Sequence, residues 1–136
     1  SQDSLHMLMT CEPQIKEISD LISRTDVLLF GIGTAMRMAD QRHIADEVRK
    51  QLVDNHAVGE ALGQYCDMDG KLIYFTNNIG LSLPDVAKVP NVIAVAGGQE
   101  KASAIIGVMR ACQKGILIID EQAAEGMRQL LQISAL

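Results

Sequence analysis

Three short stretches contain residue types that could hold or transform a ligand. In Ala96-Gly97-Gly98-Gln99-Glu100-Lys101 an apolar run ends in two glycines, and a lysine follows within one turn. Amides at the start of a helix attract anions, glycines let an anion approach the backbone, and an ammonium adds a full positive charge. Chemically this is a phosphate seat, although Gly-x-x-x-x-Gly-Lys-Ser/Thr is absent and it is not a P-loop. A lysine near a helix N-terminus opposes the helix dipole, which favours a binding role for Lys101 over that of a merely solvated side chain. The second stretch, Phe30-Gly31-Ile32-Gly33-Thr34, opens like a dinucleotide fingerprint, but Met36 stands where the third glycine belongs. Gly31 and Gly33 either line a ligand at a strand end or simply make a tight strand-to-helix turn. In the third, Gly59-Glu60-Ala61-Leu62-Gly63, a carboxylate sits among small and apolar residues. Glu60 there is either an acceptor for sugar hydroxyls or an ordinary loop glutamate.

Other chemistries find no support. His6, His43 and His56 lack metal-ligand spacing with any cysteine. No Ser/His/Asp grouping sits at a nucleophile elbow. Neither a metal nor a cofactor is expected. Cys11, Cys66 and Cys112 are far apart, odd in number and free of any Cys-x-x-Cys pair, so they read as reduced thiols of a cytoplasmic protein. The seven methionines read as core filler.

These stretches must be placed by regular elements. Ile15, Ile18, Leu21 and Ile22 form one apolar stripe, which predicts a helix from Glu12 to Arg24. Val27–Phe30 is a continuous apolar run closed by glycine, as expected for a strand buried on both faces of a parallel sheet. Residues 34–55 read as helix in one or two pieces. Asp69-Gly70 suits a turn between antiparallel strands at Ala61–Asp67 and Leu72–Asn77. Pro84 starts a short helix and Pro90 follows its end. Asn91–Ala96 is a second buried strand, Gln99–Gln113 a helix, and Ile116–Ile119 a third strand, after which Asp120 caps a last helix through Leu131. Helices alternating with short buried strands imply an α/β fold. Its sheet is mainly parallel and Rossmann-like, with helices on both faces and a small antiparallel hairpin. Val27–Phe30, Val92–Ala96 and Ile116–Ile119 are its expected central strands.

Composition narrows the function. At 136 residues, 48% hydrophobic and 21% charged, the chain suits one compact unit with a real core. Its aromatics are Phe30, Tyr65, Tyr74 and Phe75 alone, too few for a base-stacking single-strand binder. A formal charge of −5 argues against direct contact with DNA phosphates, yet leaves room for one local cation cluster around a small anion. No apolar run approaches the roughly 18 residues of a membrane span, and the start lacks the basic region of a signal peptide. The chain opens on Ser1, consistent with a processed tag or a truncation.

At these places the sequence resembles a known family. Gly31-Ile32-Gly33 comes first, then Gly59-Glu60-Ala61-Leu62-Gly63 followed by Asp67 and Gly70. Next comes the run from Val89-Pro90 through Val92-Ile93-Ala94-Val95-Ala96-Gly97-Gly98 to Lys101. Ile118-Ile119-Asp120 with Ala123-Ala124 closes the series. In this order they resemble the sugar-binding domain of SorC-type bacterial regulators, over about residues 12–131. The resemblance implies a fold related to ribose-5-phosphate isomerase and glucosamine-6-phosphate deaminase. It implies a sensor rather than an enzyme: a phosphorylated sugar, fructose-1,6-bisphosphate or similar, binds and alters how a separate N-terminal module grips DNA. Glu60 would hold sugar hydroxyls and Lys101 a phosphate, with Gly97, Gly98, Gly31 and Gly33 beside them. Such regulators also carry, earlier in the chain, the DNA-binding module and a Gly-Gly-x-Thr-type phosphate loop. Neither is present, so residues 1–136 resemble the C-terminal part of the effector domain. Regulators that act on paired half-sites are two-fold assemblies, which implies a homo-oligomer. The competing expectation is a sugar-phosphate isomerase or deaminase of the related fold. That requires a general base near the substrate carbon, and no carboxylate–histidine or carboxylate–lysine set assembles around Gly97-Gly98, although Glu60 and Lys101 could be recast in those roles.

Overall fold

The computed structural model describes Ser4, Met7 and residues 11–76 and 79–132. Helix α1 (Pro13–Ser23) leads into β1 (Val27–Gly31), and after one residue into the two-residue β2 (Gly33–Thr34). Helices α2 (Ala35–Gln41) and α3 (Asp46–Asp54) follow, then three short strands, β3 (Gly59–Ala61), β4 (Gln64–Cys66) and β5 (Leu72–Phe75). A 3₁₀ turn at Pro84–Lys88 precedes β6 (Asn91–Ala96). A second 3₁₀ turn, Gln99–Lys101, opens directly into α4 (Ala102–Cys112), and β7 (Ile116–Ile119) and α5 (Glu121–Leu130) complete the chain. His6 and Asn77 lie outside the described residues.

The three apolar runs form one parallel sheet in the order β1-β6-β7. Only β6 is central, and β1 and β7 are its parallel edges. The expected hairpin is present between β4 and β5, and it belongs to a four-stranded antiparallel sheet, β2-β3-β4-β5. Gly33-Thr34 and Gly59–Ala61 carry no alternating apolar pattern, so nothing in their composition announced them as strands.

Helix α4 is the hub. Ala104, Ile105 and Val108 pack with Phe30, Val92 and Ala94 of the parallel sheet and with Ala61 and Cys66 of the antiparallel one. Two glycines make this approach possible. A Cβ on Gly59 would lie 2.8 Å from the Ala104 carbonyl oxygen, and one on Gly107 would lie 2.4 Å from that of Asp67. The opposite face of the antiparallel sheet carries Tyr65, which packs with Ala35, Ala39 and Leu52 beneath α2 and α3.

Burial on two faces therefore falls to β3 and β4, whose residues are all buried. Val27–Phe30 departs from expectation here: Val27 and Leu29 are exposed, and Phe30 alone of β1 is buried. Among the described residues, helical cover lies on the Phe30–Ala94 side of the parallel sheet.

Candidate functional site

Four of the six residues singled out from the sequence meet in space. Gly31 ends β1, Gly33 opens β2, Glu60 is the middle residue of β3, and Lys101 closes the turn before α4. Together they line a cavity of about 450 Å³, within the range of small-molecule sites. The meeting depends on β2, because Gly33 pairs with Glu60 across the antiparallel sheet.

Among the described residues Glu60 is the most enclosed charge, with 4% of its side chain exposed. Its Oε1 accepts a hydrogen bond from the Gly63 N–H at 2.7 Å and a charge-assisted contact from Arg42 at 2.9 Å. The turn that returns the Gly63 N–H runs through left-handed backbone at Leu62 and Gly63, which explains the glycine at that position. Burial pushes the Glu60 carboxyl above the usual carboxylate range, and the Gly63 N–H and the Arg42 guanidinium oppose that push.

Arg42 and Arg37 were not picked out from the sequence. Both line the cavity, with Gln41 and Thr34 beside them. A signal was available: Arg37 and Gln41 are one helical turn apart on the helix that follows Gly31-Ile32-Gly33, and Arg42 is that helix's C-cap. The cavity thus gathers three cations, Arg37, Arg42 and Lys101, against the single carboxylate of Glu60. A chain of formal charge −5 concentrates positive charge at one point.

Gly97 and Gly98 are not part of this lining. The Gly98 N–H donates to both carboxylate oxygens of Asp120, at 3.1 and 3.0 Å. Asp120 also accepts from the Ala123 N–H at 2.8 Å as the N-cap of α5. These backbone donors hold its carboxyl below the usual range. The anion beside the Gly-Gly turn is therefore the protein's own. A Cβ on Gly97 would come within 2.8 Å of Asp120, and one on Gly98, where φ is +97°, within 2.5 Å of the Glu100 carboxylate. The positive φ is what calls for glycine at position 98, and the turn leads directly into Lys101 at the cavity.

Among the described residues, no helix is long and apolar enough to cross a membrane.

Comparison with known proteins places the chain in a family. The family described as "Putative sugar-binding domain" matches residues 1–129. The central glycolytic genes regulator of Bacillus subtilis (strain 168) is 39% identical over 114 residues, which cover 84% of this chain and 34% of that protein. A solved chain described as a "putative SorC family transcriptional regulator" from Enterococcus faecalis superimposes with a TM-score of 0.80 at 37% identity, covering 93% of this chain and 50% of its own. The full-length sorbitol operon regulator SorC from Klebsiella pneumoniae superimposes with a TM-score of 0.72 at 26% identity, covering 88% of this chain and 39% of its own. The chain spans about a third of the length of the curated regulator it matches. With the cavity at the sheet edge and these likenesses together, the chain belongs to the sugar-binding domain family of SorC-type transcriptional regulators.

Proposed function

We propose that the chain is the C-terminal part of an effector-sensing domain, and that it binds a phosphorylated sugar of the fructose-1,6-bisphosphate type in the cavity between β1, β2, β3 and α4. The observation that carries this reading is the grouping of Arg37, Arg42 and Lys101 around the buried Glu60. Phosphate oxygens are recognised by guanidinium and ammonium donors, in bidentate fashion by arginine and as a point charge by lysine. Sugar hydroxyls are donors, and Glu60 Oε2 makes no hydrogen bond among the described residues, so one acceptor is left for them. Arg42 lies between the two functions. It steadies Glu60 and, with roughly a third of its side chain exposed, presents its remaining donors to the cavity. Gly97 and Gly98 enter as the turn that delivers Lys101, and Gly31 and Gly33 as the floor.

The reading is of a sensor and not an enzyme. The cavity lining holds no histidine, and its one carboxylate, Glu60, is ion-paired with Arg42 through Oε1, so the enzyme reading would rest on Glu60 Oε2 alone as general base. DNA contact belongs to a module outside this chain, in keeping with the net charge of −5, and the intact cytoplasmic regulator acts as a homo-oligomer. Calorimetry on the full-length regulator tests the assignment. Lys101→Ala should weaken sugar-phosphate binding by about ten- to a hundredfold, because a charge-assisted hydrogen bond is worth roughly 1.5–3 kcal/mol. An unchanged affinity would make Lys101 a surface lysine and remove the phosphate seat.

A further inference from the structure

The Tyr65 hydroxyl is the one buried side-chain polar atom that has no hydrogen-bond partner among the described residues. The residue is wholly buried, and a buried hydroxyl left unpaired is destabilising. Phenylalanine would fill the same space among Ala35, Ala39 and Leu52 without that penalty, so packing does not account for the hydroxyl.

Its position does. The strand register puts Tyr65 directly opposite Glu60, and cross-strand partners leave the same face of a sheet. Their chain neighbours Ala61 and Cys66 pack on the α4 side, so Tyr65 and Glu60 face α2, whose C-cap is Arg42. The hydroxyl feels both charges there: burial pushes its pKa up, the Glu60 carboxylate adds to that push, and Arg42 opposes it. The other cations that line the cavity with Glu60 are Arg37 of α2 and Lys101 of the turn before α4. Tyr74 of β5 packs its ring against Tyr65, and Asp40 of α2 and Arg49 of α3 pair with each other.

Without ligand, Glu60 Oε1 is held by the Gly63 N–H and by Arg42. A phosphate in the cavity competes for the Arg42 guanidinium, which is partly exposed to it. Glu60 is too enclosed for bulk water to take the place of that cation. A buried carboxylate in this position must take up a proton or find another donor. The unpartnered donor on its own face of the sheet is the Tyr65 hydroxyl. We propose that Tyr65 is a positioning residue of the effector site: when a sugar phosphate engages Arg42, the Tyr65 hydroxyl donates to the Glu60 carboxylate and keeps it ionised and aimed at the sugar hydroxyls. This role rests on the sugar-phosphate reading of the cavity given above.

Calorimetry with fructose-1,6-bisphosphate on the full-length regulator compares the wild type, Tyr65→Phe, Glu60→Gln and the double variant. Tyr65→Phe should raise Kd about tenfold near neutral pH, as expected for one hydrogen bond to a charged acceptor, while the ligand-free thermal midpoint holds or rises. In the Glu60→Gln background the same substitution should change Kd by about twofold at most, because the coupling disappears with the charged partner. The deficit of Tyr65→Phe should also shrink as pH falls toward about 5.5, where Glu60 takes up a proton in place of the lost hydrogen bond. An unchanged Kd in Tyr65→Phe would overturn the role of Tyr65. So would an equal loss in both backgrounds, a deficit that ignores pH, or a ligand-free midpoint well below that of the wild type, since each would make the hydroxyl structural. A wild type that fails to bind fructose-1,6-bisphosphate would instead overturn the reading of the cavity, and this role with it.

Discussion

Glu60→Gln isolates what the buried carboxylate does. The amide keeps the shape and still accepts from the Gly63 N–H, now 2.7 Å from Oε1, and it removes the charge facing Arg42 at 2.9 Å. A hydrogen bond to an ionised acceptor is worth roughly 1.5–3 kcal/mol and a neutral one about 0.5–1.5, so the loss at a bound sugar hydroxyl is about 1–2 kcal/mol. That corresponds to a five- to thirtyfold increase in Kd, on the order of tenfold per 1.4 kcal/mol. Stability should move the other way. Because burial raises the Glu60 pKa in the folded state, its contribution is fully present below the unfolded pKa and is lost as pH rises through the folded value. The ligand-free variant, which has no such proton to lose, should gain on the wild type as pH climbs from the acid range to neutrality. Thermal midpoints measured as a function of pH, with calorimetry on the full-length regulator, check both halves. A variant that falls further below the wild type as pH rises would show that Arg42 and Gly63 outweigh burial. An unchanged sugar-phosphate affinity would show that Glu60 is structural only.

Two other perturbations follow from the packing. Gly107→Ala should cost about 1–3 kcal/mol in urea unfolding, the range for overfilling a tight contact, because its Cβ would meet the Asp67 carbonyl oxygen at 2.4 Å. Gly31→Ala, with its nearest neighbour 3.9 Å away, should stay within about 0.5 kcal/mol of the wild type, and equal losses at the two sites would refute the packing account. A thiol titration of the native chain at about pH 8 should report Cys11 alone. Cys66 and Cys112 are buried, and burial pushes their thiols up to about 12 and about 11. Prompt reaction of all three would mean that the α4 core opens readily.

The amino-acid order by itself determined the elements that local physics governs. The apolar runs at 27–30, 91–96 and 116–119 became β1, β6 and β7 because each is short, apolar and bordered by a glycine, after the first two and before the third, which suits a strand of a parallel sheet. The caps were equally local: Asp120 starts α5, and Pro84 starts a 3₁₀ turn. Gly31, Gly33, Glu60 and Lys101 were legible because each is a glycine or a charged residue within a glycine-marked stretch of the chain. Tertiary structure decided the remainder. Gly33-Thr34 and Gly59–Ala61 become strands only by pairing with each other, and that pairing is what carries Glu60 to the Gly31–Gly33 turn. The spacing of Arg37 and Gln41 could place them on one face of α2, but only the docking of that helix brings Arg37 and Arg42 to Glu60 and the cavity. The Gly-Gly turn could be seen in the sequence, but its Asp120 partner, 22 residues away, could not. The same holds for burial. The apolar pattern of the parallel strands marks two faces for cover, and within the described residues helix α4 covers one, because a helix packs on only one side of a sheet.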